Sequence, residues 1–131
     1  MNVRQQVLAA IVAHALDERP NECCGLLLGH ADCVDEAVRA RNERQSPTRF
    51  LIQAEDHLHA LRRARSTGRR VVGAYHSHPR GPSAPSATDC AEMNDPSLVY
   101  VIVSLAQAEP DVLAYEWQDG GFRRIDLTPV D

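Results

Sequence analysis

One stretch decides the fold: Arg70-Val71-Val72-Gly73-Ala74-Tyr75-His76-Ser77-His78-Pro79. Its mostly apolar first part predicts a buried β-strand. Pro79 has no N–H to donate to a sheet, so the strand is expected to stop there. Residues i and i+2 of a strand face the same side, about 6.6 Å apart along the chain. His76 and His78 are therefore expected to point to one side, with Ser77 pointing away.

A carboxylate follows the two histidines. After a loop rich in proline, glycine and serine at 80–85, Ser86 opens a predicted short helix that contains Asp89. Two imidazoles and one carboxylate make three metal-capable side chains, and three protein ligands leave one position for water on a catalytic zinc. A structural alternative stays open, because Ser86 and Asp89 also fit a capping box at the positive end of a helix.

A second acid precedes another apolar run. Cys23 to Leu28 is continuously apolar and predicts a central strand buried on both faces. Glu22 stands immediately before it. This acid is either a solvated end residue or a general base, which would take a proton from water and pass it to a leaving amine.

Composition narrows the class of protein. A chain of 131 residues with 44% hydrophobic and 24% charged residues is expected to form one globular domain. A net charge of -4 gives no electrostatic case for nucleic acid as a partner. No apolar run reaches the roughly 20 residues that span a bilayer, and no signal-peptide pattern is visible, so a cytoplasmic location is expected. The four cysteines form no CxxC pair and are expected to be free thiols.

The remaining segments complete a predicted α/β fold, a mixed central sheet flanked by about three helices. Hydrophobic periodicity and turn residues give the boundaries. The predicted helices are 3–17, 54–67 and one that runs from the Ser86 cap to about 94. The further predicted strands are 33–42, 48–53 and 98–105, and a final hairpin joins 109–118 to 122–127.

Together these motifs resemble the JAMM (MPN-plus, JAB-domain) zinc metalloproteases. That family's signature is an upstream Glu, then His-Ser/Thr-His-Pro, six residues, and Ser-x-x-Asp, and this chain matches every fixed position. The similarity extends over nearly the whole chain. It implies a cytidine-deaminase-like, JAMM-type α/β fold and a small prokaryotic member in which residues 1–131 form one catalytic domain.

The resemblance implies a role for each matching residue. His76, His78 and Asp89 match the zinc ligands, and Glu22 matches the general acid/base that activates the attacking water. Ser86 matches the residue that hydrogen-bonds the developing oxyanion, and one such donor is worth roughly 3 to 4 kcal/mol in catalysis.

The resemblance also implies a substrate. Small prokaryotic members cleave after the C-terminal Gly-Gly tail of ubiquitin-like or sulfur-carrier proteins, so a zinc-dependent metallopeptidase or isopeptidase with such a protein partner is expected. A non-catalytic MPN-type binding scaffold is the main alternative, although such members usually lack the metal ligands that are retained here. A third option is an unrelated zinc hydrolase of small amides, but the chain has no His-Glu-x-x-His motif.

Overall fold

All 131 residues are described by a computed structural model of the chain. Strands and helices follow one another from near the N-terminus to near the C-terminus. Their bounds are β1 (Asn2–Arg4), α1 (Gln5–Glu18), β2 (Cys24–His30), β3 (Cys33–Ala40), α2 (Ala54–Ser66), β4 (Arg70–His78), α3 (Ala87–Ala91), β5 (Val99–Ser104), β6 (Asp111–Gln118), β7 (Gly121–Ile125) and β8 (Thr128–Val130).

The strands form one eight-stranded mixed sheet in the order β7-β6-β5-β4-β2-β3-β1-β8. β4 runs parallel to β5 and antiparallel to β2, and β1 runs parallel to both β3 and β8. β2 and β4 lie at the centre, which explains why both are near-continuous apolar runs. The prediction of a mixed sheet with three helices is confirmed.

Each face of the central strands is covered by a helix. α1 packs Val7, Ile11 and Ala15 into a cluster that also contains Leu27 and Tyr75. On the opposite face a smaller cluster joins two alanines of α2 to alternate residues of the central strands: Ala60, Ala64, Leu26, Leu28 and Ala74. Ala74, His76 and His78 are alternate residues of β4 and face the same side of the sheet. The two histidines therefore lie at the end of the face that α2 covers.

Several predicted boundaries need correction. The predicted strand at 48–53 is wrong: this segment is a loop with a single isolated bridge between Asn42 and Ile52. The Asn42 side chain holds it through hydrogen bonds with the Arg49 carbonyl and the Leu51 N–H. The first helix begins at Gln5 because the residues before it form β1. α3 ends at Ala91, well before residue 94. The strands β1 and β8 were not predicted, because three-residue strands are too short to show a pattern.

None of the helices is long and apolar enough to cross a membrane.

Candidate metal centre

β4 brings the two predicted histidine ligands to one side of the sheet. Both side chains are buried, and their rings lie edge to face with centroids 4.9 Å apart. Ser77 between them is fully buried and points away, as its position in a strand requires. Strand geometry therefore places His76 and His78 on the same side of the sheet as a pair.

Three polar atoms meet at this point, one each from His76, His78 and Asp89. The two Nε2 atoms lie 3.1 Å apart, and Asp89 Oδ2 lies 3.2 Å from His76 Nε2 and 3.1 Å from His78 Nε2. Ligand atoms of a tetrahedral zinc with bonds of about 2.0–2.1 Å are separated by roughly 3.3 Å. The observed triangle fits such an ion. The donor atoms of His76, His78 and Asp89 all lie within 4.8 Å of one another, close enough to bind a single metal.

The tautomer of His78 is set by the loop that follows β4. Its Nδ1 lies 2.6 Å from the carbonyl oxygen of Pro82. A carbonyl can only accept, so Nδ1 carries the proton. In the neutral ring Nε2 then presents its lone pair to the centre, which is how a ligating histidine is commonly oriented by its second nitrogen.

Asp89 is oriented by a capping box at the start of α3. Ser86 Oγ accepts from the Asp89 N–H at 3.0 Å, and the Ser86 N–H donates to Asp89 Oδ2 at 2.9 Å. The oxygen held in this way is the same Oδ2 that faces both imidazoles. The structural interpretation of Ser86 and Asp89 is therefore correct, and it is compatible with the functional one because the cap points the carboxylate at the centre.

Burial and charge set the protonation of this trio. Burial lowers the pKa of His76. For Asp89, burial acts to raise the pKa, but the contacts with His76 and His78 outweigh it and hold the carboxyl ionised. Burial acts to lower the pKa of His78, yet its hydrogen bonds to Asp89 and Pro82 raise it overall. An ionised carboxylate between two imidazoles is a donor set suited to a divalent cation.

Glu22 lies at the same end of the sheet as His76 and His78. The Cys23 N–H donates to Ser77 Oγ at 2.8 Å, and the Ser77 N–H donates to the Cys23 carbonyl at 3.1 Å, so Glu22 is next to the strand that carries the histidines. Its side chain is only 3% exposed, and Oε1 has no hydrogen-bond partner. Burial raises its pKa to about 8, with smaller effects of opposite sign from His78 and Asp89. A carboxyl with this pKa is suited to exchange protons near neutral pH.

Comparison with known proteins decides the family. A family model described as prokaryotic homologues of the JAB domain matches residues 4–118. The chain belongs to this family. This JAB-domain chain is 32% identical to the desampylase of Haloferax volcanii, over 96% of this chain and 91% of that protein. It is also 32% identical to the CysO-cysteine peptidase of Mycobacterium tuberculosis, over 98% of this chain and 90% of that one.

A solved structure agrees with the fold. The solution structure of a protein from Desulfitobacterium hafniense matches with a TM-score of 0.92 at 32% identity, covering 99% of this chain and 92% of that one. The family resemblance predicted from the sequence motifs is confirmed.

Two residues of the loop 41–53 support the JAB-domain site and were not predicted. The ring of Phe50 stacks on His76 with centroids 4.4 Å apart. The Asn42 amide nitrogen donates to the carbonyls of Glu22 and Arg49, and its oxygen accepts from two backbone N–H groups. Asn42 therefore fastens this loop to Glu22. Neither contact has a local sequence signal, because each joins segments that are distant in the chain.

Two recesses include residues of the candidate site in their lining, and they differ in character. An apolar cavity of about 310 Å³ includes His76 and Asp89 in its lining and runs over the sheet face beneath the loop 41–53 and α2. A polar groove includes Glu22 and is lined by side chains from α1, β3 and the start of α2.

Proposed function

We propose that this JAB-domain protein is a zinc-dependent metallopeptidase or isopeptidase that cleaves after the C-terminal Gly-Gly tail of a ubiquitin-like or sulfur-carrier protein. The observation that carries the proposal is the triangle of His76, His78 and Asp89 donor atoms beside the buried carboxyl of Glu22. The relatives named desampylase and CysO-cysteine peptidase support the substrate class. The proposal treats residues 1–131 as one catalytic domain.

In this proposal His76, His78 and Asp89 hold the metal. Zinc bound by such a set supplies Lewis acidity, which polarises a scissile carbonyl and lowers the pKa of a coordinated water to about 7. The protein's contribution is to fix the three donors in advance. The Pro82 carbonyl holds one ring and the Ser86 N–H holds the carboxylate.

Glu22 and Ser86 carry the remaining steps. Glu22 takes a proton from the attacking water as the carbon–oxygen bond forms, and passes that proton to the leaving nitrogen as the carbon–nitrogen bond breaks. The Ser86 hydroxyl oxygen accepts from the Asp89 N–H, so its own hydrogen is free to donate to the developing oxyanion. A preorganised donor of this kind stabilises charge that appears only in the transition state.

A non-catalytic scaffold accounts less well for the site. Burying a carboxyl oxygen without a partner costs free energy, and a binding surface gains nothing from that cost. An acid/base catalyst does gain, because burial moves its pKa into the working range.

The four free cysteines accord with a reducing compartment, and a cytoplasmic location is part of the proposal.

The direct test uses purified protein with zinc and a carrier whose Gly-Gly tail is extended by one or more residues. We expect native protein to release the extension, and Glu22→Ala to retain stoichiometric zinc while losing at least 100-fold in kcat. Native protein that cleaves none of several such carriers, and that behaves like Glu22→Ala, would contradict the proposal. Absent zinc together with a stable partner complex would favour the scaffold.

A further inference from the structure

The loop that connects β4 to α3 makes no hydrogen bond between backbone groups. It consists of residues 79–85, and three of these seven are proline, which has no N–H to donate. Neither the N–H groups nor the carbonyls of loop 79–85 bond to another backbone group. Because buried backbone carbonyls need donors, the hydrogen bonds that hold this loop must come from side chains.

Three consecutive carbonyls of loop 79–85 each accept a hydrogen bond from a side chain of the sheet. The pairs of donor and acceptor are Ser104 with Gly81 at 2.6 Å, His78 with Pro82 at 2.6 Å, and Tyr115 with Ser83 at 2.7 Å. The middle bond is the one that sets the tautomer of His78. The two outer bonds therefore hold, from both sides, the carbonyl to which this proposed metal ligand donates.

Ser83 is held a second time through its side chain. Its hydroxyl donates to Asp111 Oδ2, and the residue is only 5% exposed although it lies in a loop. Asp111 and Tyr115, which fix Ser83 at its hydroxyl and its carbonyl, both belong to β6. A strand that carries none of the predicted site residues therefore supplies two of the contacts that fix the loop.

The register of the sheet explains why these side chains meet the loop. His78 pairs with Ser104 on β5, and Ser104 pairs with Asp111 on β6, so the three residues form one row across adjacent strands. Directly paired residues place their side chains on the same side of a sheet. Tyr115 shares this side because it follows Asp111 by four residues. The anchors of the loop therefore lie on the face that carries the metal centre.

We propose that Ser104, Asp111 and Tyr115 are positioning residues for the metal centre. They hold the Pro82 carbonyl at the place from which it orients the ring of His78. The inference rests on the zinc site of the proposed function and on no particular substrate. Loss of a group that hydrogen-bonds a ligating histidine typically lowers metal affinity 10- to 100-fold. The β6 residues act one step further away, so about tenfold is expected for each.

The test measures the zinc affinity of Tyr115→Phe and Asp111→Ala against a competing chelator, so that no activity is needed. Each substitution removes one contact of the loop. We expect each to weaken zinc binding about tenfold and to change the visible absorption of the cobalt-substituted protein, which reports ligand geometry. Asp111→Asn keeps an oxygen that can accept from Ser83, and it should bind zinc as native protein does.

The matched control is Tyr100→Phe. Tyr100 is the partner of Tyr115 across β5 and β6, and its hydroxyl also donates to a loop carbonyl, that of Asp95, at 2.6 Å. None of the three proposed ligands hydrogen-bonds to this carbonyl. Zinc affinity and the cobalt spectrum should therefore stay native in Tyr100→Phe.

The outcomes separate positioning from mere stability. If the β6 contacts only stabilise the fold, Tyr115→Phe will lower the free energy of unfolding of zinc-free protein and keep native zinc affinity, which would overturn the inference. An equal loss of zinc affinity in Asp111→Ala and Asp111→Asn would also overturn it for Asp111, because charge rather than the hydrogen bond would then be the cause. If native protein binds no zinc, the metal site of the proposed function fails and the inference fails with it.

Discussion

At the scale of single residues, the most informative side chain is Glu22. It is buried beside the metal centre, and its Oε1 has no hydrogen-bond partner. Its pKa is raised from 4.5 to about 8, chiefly by burial. A group that is protonated in the folded protein but ionised in the unfolded chain makes folding less favourable as the pH rises. The property that suits Glu22 to proton transfer therefore lowers stability.

This leads to a prediction for Glu22→Gln in zinc-free protein. The Glu22 carboxyl should contribute a progressive loss of stability to native protein as the pH rises from about 4.5 to about 8, because over that range only the unfolded chain has lost this proton. Glutamine has no proton to lose, so this contribution should be missing from the stability profile of the variant. At pH 7 it should be more stable than native protein by on the order of 3 kcal/mol. Urea unfolding in a chelator across this pH range measures the difference, and parallel profiles for the two proteins would refute it.

At the scale of elements, the capping box of α3 lies on the two residues that also have proposed roles in catalysis, Ser86 and Asp89. The helix has only five residues, too few to be stable by propensity alone. Its capping box with Ser86 and Asp89 supplies local stability and also aims Asp89 Oδ2 at the histidines. The spacing Ser-x-x-Asp predicts the capping box, and the family resemblance implies the catalytic roles. The three-dimensional arrangement shows that the cap also points the Asp89 carboxylate at the histidines.

Ser86→Ala should therefore have two separable effects. Loss of the cap should lower the free energy of unfolding by about 1 kcal/mol, and loss of the hydroxyl donor should lower kcat by roughly 100- to 1000-fold. Ser86→Thr keeps both the acceptor and the donor and should stay close to native on both measures. Zinc content, unfolding and kcat are measured on each variant. A Ser86→Ala enzyme with full zinc and native kcat would exclude the oxyanion role.

The contact between β2 and β4 depends on a glycine. A Cβ added at Gly25 would lie 2.4–2.5 Å from ring atoms of Tyr75, its partner across the strands. Tyr75 cannot easily move, since it is 1% exposed and its hydroxyl lies 2.7 Å from His14 Nδ1. Gly25→Ala should therefore destabilise the protein by about 1–3 kcal/mol. Thermal unfolding tests this, with Gly121→Ala as the control because a Cβ there meets nothing.

At the scale of the whole molecule, sequence patterns predict the parts whose signals are local. The two central strands, α1 and α2 follow from hydrophobic runs. The pairing of His76 and His78 follows from their spacing on a strand, and the roles of the five motif residues are implied by the family resemblance. The strands β1 and β8 have no such signal, because each has only three residues: β1 is held by pairing with β3 and β8, and β8 by pairing with β1. The loop 41–53 was predicted in part as a strand because its apolar residues Phe50, Leu51 and Ile52 resemble one. In the fold these residues instead line the cavity beside the metal centre.

The metal should also link the site to global stability, because the ligands come from β4 and α3 and converge only in the folded chain. An ion that binds only folded protein stabilises it by about 2.7 kcal/mol at 100 times its Kd. For a domain of this size that corresponds to a rise in Tm of roughly 10 °C. His78→Ala removes one donor and should abolish most of this rise. His59→Ala, on the exposed face of α2, should keep it in full. Thermal unfolding with a chelator and with added zinc gives the comparison, and an equal zinc-dependent rise in native protein and His78→Ala would mean that the stabilising ion binds elsewhere.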